Sequence, residues 1–363
     1  MAGDRFTADG INIRPMENQI PTVSNLAILG LGNQGKHHLA AALKLLKSRK
    51  IKRLFLCDND IARLAPYANL ENVTIETDAS LLIRSGLCQV FIVAVPNSLH
   101  EELTLEILKR GGHVLKEKPL ALSLDSAQRM DVTARKNGAY LEVVQQRFFH
   151  PGFIELTDAM QRIGQVRFVD YHFSLSDDTF SWYWSKRTGG GAWLGIGWHI
   201  CHVLCSLLGT PHEVRAHFFS GKEKRWHYDT EDTVMGEIQF GTVVARFSAS
   251  VVGMDKTECV LLEGTAGSLI FDRNRLRLSE EMKQVLESDF GAFDWSVAYC
   301  AQLEDFLSRV SAGEVGVNAL ALMTMSILEA GRRSAESDGD AVQVVGWSPE
   351  PKYLHVCANG AQF

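Results

Sequence analysis

Leu26-Ala27-Ile28-Leu29-Gly30-Leu31-Gly32-Asn33-Gln34-Gly35 is the stretch on which the fold turns. Four consecutive apolar residues, bounded by glycine, read as a short strand buried on both faces. The six that follow spell Gly-x-Gly-x-x-Gly, and the Ala/Leu/Lys-rich run from Lys36 to Leu46 continues as a helix. In that context the first glycine permits a tight turn, the second lets backbone N–H groups approach a pyrophosphate, and the third lets helix and strand pack closely. The helix N-terminus adds unpaired N–H groups and partial positive charge. Gly30, Gly32, Asn33, Gln34 and Gly35 are therefore expected to hold a dinucleotide. Asp58 ends the next strand, roughly 20 residues on, where a carboxylate accepts hydrogen bonds from ribose hydroxyls and repels a 2′-phosphate. NAD is the expected cofactor and NADP the less favoured one. Asn59 and Asp60 follow Asp58, with no Arg or Ser to welcome that phosphate, although Arg53 lies nearby on the same strand.

Outward from this unit, strand patterns at 54–58, 73–75, 89–95, 113–115 and 140–144 are separated by helical stretches that include 99–109 and 123–136. Strands alternating with helices predict a doubly wound parallel sheet. Beyond His150 the rhythm changes. Helical patterns at 153–163 and 192–208 accompany alternating runs at 166–174, 214–219, 233–240, 243–251, 259–263 and 267–271, and helices follow at 296–310 and 317–335. Consecutive strands without intervening helices predict an open, mainly antiparallel sheet. The expected fold class is α/β: a flexible arm at 1–24, a Rossmann domain at 25–149, a second α+β domain at 150–341, and a tail at 342–363.

Composition narrows the function classes. With 46% hydrophobic and 22% charged residues, the 363-residue chain is not compositionally disordered, and its length suits about two domains. A net charge of −6 with no block of Lys or Arg speaks against a nucleic-acid partner. No apolar run approaches the ~20 residues needed to span a bilayer, and the polar N-terminus shows no signal peptide. Seven cysteines without regular spacing read as reduced thiols. The expected location is cytoplasmic, with no membrane association.

Two segments carry candidate chemistry. Ligands of open α/β sheets bind beyond the carboxyl ends of the strands. That rule places Pro96, Asn97 and His100, which follow Val93-Ala94-Val95, near a cofactor, although His100 also suits a helix N-terminus with local hydrogen bonds. Lys116-Glu117-Lys118-Pro119 ends the fifth strand. Pro119 biases Lys118 away from helical geometry, so its ammonium has a route to the nicotinamide; on spacing alone a solvated lysine pair is the competing reading. Trp182, Tyr183, Trp184, Trp193 and Trp198 surround Gly189-Gly190-Gly191, as either a platform for a sugar-like ring or ordinary core. Lys186 and Arg187 suit an anionic group or solvent. His199, Cys201, His202 and Cys205 share one predicted helix, but their spacing matches no standard zinc set.

Taken in order, GLGNQG, Asp58, AVPNSLH, KEKP, QQRFFHP (145–151) and GGGAWLGIGWHICH (189–202) resemble the Gfo/Idh/MocA oxidoreductases over about residues 25–335. The resemblance implies a Rossmann domain that binds NAD(P), with Glu117 and Lys118 among its cofactor contacts. It also implies a second domain that covers the substrate and forms a homodimer or homotetramer. Lys118 matches the lysine of the EKP motif and His199 the catalytic histidine, while Gly195 and His202 stand where aspartates are usual. An aspartate one turn before His199 would orient the imidazole and raise its pKa. The expected activity is hydride transfer between nicotinamide and a secondary alcohol or ketone of a sugar, amino sugar or cyclitol. In that scheme His199 is the acid/base, Lys118 polarises the oxygen or relays the proton, and His202 assists. Arg147, Trp184 and Trp198 join Lys118, His199 and His202 as the expected substrate contacts. Two other classes share the fold: an NAD-retaining enzyme that splits glycosides through transient oxidation, and a non-catalytic, sugar-responsive regulator.

Overall fold

The computed structural model describes residues 23–176, 185–221, 229–281 and 283–345. In chain order the first six strands are β1 (Val23–Leu29), β2 (Ile51–Cys57), β3 (Val73–Glu76), β4 (Val90–Val93), β5 (His113–Lys116) and β6 (Tyr140–Val143). All six are parallel, in the order β6-β5-β4-β1-β2-β3, and the two-residue strand Gly316–Val317 pairs with β6 at the edge. Leu26, Ala27, Ile28 and Leu29 are fully buried, as a central strand covered on both faces requires. Strand order reverses between β1 and β4, so their carboxyl ends open a crevice of the kind in which doubly wound folds bind ligands. The Asn33–Lys47 and Asn97–Lys109 helices begin at that crevice.

The second sheet is built from β7 (Val166–Ser176), β8 (Glu213–Phe219), β9 (Thr233–Phe240), β10 (Val243–Ser250), β11 (Val252–Gly264), β12 (Gly267–Asp272), β13 (Arg275–Glu280) and β14 (Lys283–Asp289). Its order is β14-β13-β12-β11-β7-β10-β9-β8, closed at the edge by Val342–Gln343 against β8. Pairing is antiparallel except between β7 and β10. Alternation sets the faces: Val169, Tyr171 and Phe173 of β7 point inward with Val260 and Leu262 of β11, while His172 and Cys259 face outward. The Trp198–Leu208 helix, entered through a π-helical turn at Trp193–Gly197, packs with the Ala319–Glu336 helix over the inward face. β13 and β14 escape sequence patterning because their alternation is carried by few apolar residues, with Leu276 and Leu278 the fully buried ones.

The chain does not divide once at residue 150. After β14 it returns to the first domain, where Leu303, Phe306 and Leu307 of the Trp295–Ser311 helix share a buried cluster with Leu39, Leu45 and Leu56. The Gly316–Val317 strand then extends the first sheet before the Ala319–Glu336 helix goes back to the second. The segment assigned to the tail starts with the Val342–Gln343 strand; most of it, like residues 1–22 of the arm, lies outside the described residues. Among the described residues no helix is long and apolar enough to cross a membrane.

This return makes the first domain depend on the end of the chain. Phe306 is fully buried against Tyr140, so Phe306→Ala should cost about 3–5 kcal/mol and lower the midpoint of urea unfolding. A midpoint equal to wild type would show that the returning helix contributes little.

Candidate active site

Nucleotide-binding geometry is built into the β1 turn. Gly30 has φ +93°, and a Cβ there would meet the Ala94 carbonyl oxygen at 2.6 Å. At Gly35 a Cβ would come within 2.0 Å of the Gly30 carbonyl oxygen, which explains why helix and turn need glycine where they cross. Gly32 is different: a Cβ there meets nothing within 4 Å, leaving an open cradle over the turn. The Asn33–Lys47 helix has no side-chain N-cap and no acidic residue in its first turn, so its leading N–H groups remain suited to an anion.

Asp58 is pinned beside this cradle. Its Oδ2 accepts from the Leu31 N–H at 2.7 Å and its Oδ1 from the Asp60 N–H at 2.9 Å. The guanidinium that reaches it is that of Arg63, 3.3 Å away, whereas Arg53 is exposed on β2. These features fit a dinucleotide with its pyrophosphate over Gly32 and a ribose near Asp58.

Several expected cofactor contacts have other partners. Glu117 Oε1 bonds His38 Nε2 at 2.9 Å and ties the KEKP segment to the glycine-turn helix. Tyr299 donates to Gln34 Oε1 at 2.8 Å, and its ring meets His37 and His38. His100 is buried, with Nε2 2.8 Å from the Val95 carbonyl, so it stabilises the β4 loop from below. Pro96 and Asn97 open the next helix at the crevice, and Asn97 Nδ2 reaches the Gly189 carbonyl at 3.5 Å, linking the two domains. Gln145, just past β6, has a buried side-chain nitrogen with no partner among the described residues.

The catalytic candidates converge from both domains. Lys118 follows β5 at the cis Lys118–Pro119 peptide and is half-buried. Lys116 behind it is fully buried, donates from Nζ to the Leu120 carbonyl and so braces the loop carrying Lys118; burial pushes its pKa down to about 7. Arg147, in the Gln146–Phe149 turn, is enclosed. Its Nε and Nη2 donate to the two carboxylate oxygens of Glu258 at 3.0 and 3.1 Å, and its guanidinium lies over the Phe173 ring at 5.0 Å. Tyr171 donates to Glu258 Oε1 at 2.7 Å. The remaining arm, Nη1, lies 2.9 Å from His199 Nδ1. Burial holds the His199 pKa well below its ordinary value, and the charges of Arg147, Lys118 and Lys256 push the same way.

Three expected substrate contacts change position in this picture. Arg147 spends its guanidinium on Glu258 and His199, so it organises the site. Trp198 is fully buried with its ring on His202, in the core and not on a ligand-facing wall. His202 is enclosed between Trp198 and Phe148, with Nδ1 2.9 Å from Thr324 Oγ1, and burial lowers its pKa to about 3. That placement suits packing and removes the reason to expect proton transfer there. Trp182, Tyr183 and Trp184 lie outside the described residues, and Trp193 is core, donating from Nε1 to the Leu328 carbonyl at 2.8 Å. Among the described residues no three His, Cys, Asp or Glu side chains group as metal ligands. Sequence reasoning missed Glu258, Tyr171 and Lys256, and the solvated lysine pair is overturned at Lys116, which is fully buried. Glu258 does leave a trace, as a carboxylate on the inward face of a strand whose next two inward positions are Val260 and Leu262.

Comparison with known proteins identifies the family. Residues 24–145 match the oxidoreductase family with an NAD-binding Rossmann fold, and residues 158–270 match the GFO/IDH/MocA C-terminal domain. The chain belongs to the Gfo/Idh/MocA oxidoreductases. Family relatives include the 1,5-anhydro-D-fructose reductase of Ensifer adhaerens, 33% identical over 49% of this chain and 55% of that protein. The D-glucoside 3-dehydrogenase of Escherichia coli is 27% identical over 51% and 58% respectively. The chain thus spans about half the length of these curated relatives. A levoglucosan dehydrogenase solved with NADH and levoglucosan superposes with TM-score 0.79 over 88% of this chain and 99% of that one, at 19% identity, a likeness of fold.

The glycine turn yields a direct test. Gly35→Ala forces the Asn33–Lys47 helix away from the Gly30 carbonyl, so NADH affinity, measured by fluorescence titration, should fall at least about tenfold with the circular dichroism unchanged. Affinity equal to wild type would remove the turn from the binding site.

Proposed function

We propose that this protein is an NAD-dependent oxidoreductase acting on a secondary alcohol or ketone of a sugar, amino sugar or cyclitol. The reading is supported by Lys118, just past β5 of the first domain, whose charge acts on the buried His199 of the second. Two proton-handling or hydrogen-bonding groups suit an oxygen that changes between hydroxyl and carbonyl. Bound NAD supplies the hydride acceptor or donor. The chain's own contribution is to hold the dinucleotide over Gly32, to present Lys118 and His199 to the reacting oxygen, and to close the crevice through Asn97 and Gly189.

Preference for NAD over NADP rests on Asp58, whose carboxylate opposes a 2′-phosphate and engages the nearby Arg63. The substrate class rests on the relatives named for sugar chemistry. Glycoside splitting through transient oxidation calls for further acid/base chemistry, which the His199/His202 pair could serve, but His202 is committed to packing. A non-catalytic regulator has no need of a buried Arg147–His199 contact beside Lys118. A homodimer or homotetramer through the outward face of the second sheet, and a cytoplasmic location, complete the proposal.

Absorbance at 340 nm with a panel of sugars, amino sugars and cyclitols, each with NAD and with NADP, tests the activity. Turnover is expected with NAD, and Lys118→Ala should lower kcat by about 10²–10⁴-fold while NADH still binds. Turnover at the wild-type rate in that variant would remove Lys118 from the chemistry.

A further inference from the structure

The partner of His199 decides which of its two nitrogens carries the proton. A guanidinium has five N–H donors and no acceptor. Arg147 Nη1, 2.9 Å from His199 Nδ1, can only donate, so Nδ1 must be the unprotonated nitrogen and Nε2 the protonated one. An aspartate one turn earlier would do the opposite. It would accept from Nδ1–H and leave Nε2 with a lone pair, ready to take a proton. Here that position is Gly195, which has no side chain.

Among the described residues the surroundings hold the constraint in place. Arg147 is fixed by both carboxylate oxygens of Glu258, which in turn accepts from Tyr171, and it rests on the face of Phe173. Among the described residues, the charged and titratable groups that bear on the imidazole are Arg147 on the turn before the Pro151–Ala159 helix, Lys118 after β5, Lys256 on β11, His202 on its own helix, and Glu258 through Arg147. The cations among them outnumber the one carboxylate, and that carboxylate is already paired with Arg147. Protonating Nδ1 would set an N–H against an N–H in a buried site.

We propose that Arg147 is a positioning residue that locks His199 as the Nε2–H tautomer, so that His199 donates a hydrogen bond to the substrate oxygen and Lys118 moves the proton. In the oxidative direction the carbinol C–H bond breaks with its electron pair, which leaves as hydride to the bound nicotinamide dinucleotide. The O–H proton passes to the neutral amine of Lys118, and C=O forms; in reduction the Lys118 ammonium returns the proton to the oxygen. His199 keeps its own proton throughout and stabilises the charge on the oxygen as an oxyanion donor does. This assignment takes the acid/base role expected from sequence away from His199 and gives it to Lys118, and it rests on the proposed oxidoreductase reading.

Its test separates the two. In full-length protein labelled with ¹⁵N at histidine, without cofactor, the His199 signals are identified by their loss in His199→Gln. Between pH 6 and 9 Nδ1 should resonate as an unprotonated nitrogen and Nε2 as a protonated one, with no titration. A protonated Nδ1 with a bare Nε2, or an imidazolium within that range, would overturn the proposal whatever the substrate proves to be. Failure to find any NAD-linked turnover would instead overturn the functional reading and leave the tautomer standing. Once a substrate is in hand, His199→Leu should lower kcat by about 10²–10³-fold. His199→Gln, which retains an N–H donor near the Nε2 position but cannot act as a base, should recover most of that loss with little change in KM. An equal loss in both variants would return the proton-transfer role to His199.

Discussion

A single buried arginine ties together the three elements of the candidate site. Arg147 is enclosed, its charge is met by both oxygens of Glu258, and its third donor reaches His199. Breaking a buried pair of this kind by removing one partner typically costs about 3–5 kcal/mol, because the other charge stays behind. The pair therefore does more than add stability. It joins the turn after β6 of the first domain to β11 of the second, and it orients the imidazole on a third element, the Trp198–Leu208 helix. The placement of the His199 imidazole follows from that triangulation.

A second set of contacts ties the cofactor end to the same framework. Glu117 precedes Lys118 and bonds His38 on the glycine-turn helix; Tyr299, on the returning helix, packs on His38 and bonds Gln34 beside the pyrophosphate cradle. Lys116 braces the same loop from within. In the KEKP segment Lys118 is thus flanked by two residues that fix its backbone, Glu117 facing the glycine-turn helix and Lys116 facing the core.

Much of this was legible in the sequence where the signal is local. The run from Leu26 to Gly35 and the placement of Asp58 after β2 report a strand, a turn and a helix within a few dozen residues, and patterning alone separates a parallel from a mainly antiparallel half. What escaped depends on long-range register. Glu258 reaches Arg147 only because β11 pairs with β7 so that Glu258 lies opposite Phe173; a one-residue slip would turn it to the outer face. His202 and Trp198 misled for the complementary reason, since a histidine and an aromatic next to a catalytic position look functional until the neighbouring helix and Phe148 are seen to enclose them. The returning Trp295–Ser311 helix was found as a helix, but no local feature says which sheet it covers.

The most direct test of the account is a crystal structure with NADH and a slowly reacting sugar or cyclitol analogue. It should show the reacting oxygen within hydrogen-bond distance of both Lys118 Nζ and His199 Nε2, with Arg147 still on Nδ1 and Glu258. A structure in which the sugar oxygen bonds the Arg147 guanidinium directly, or in which His199 turns away from it, would contradict the account.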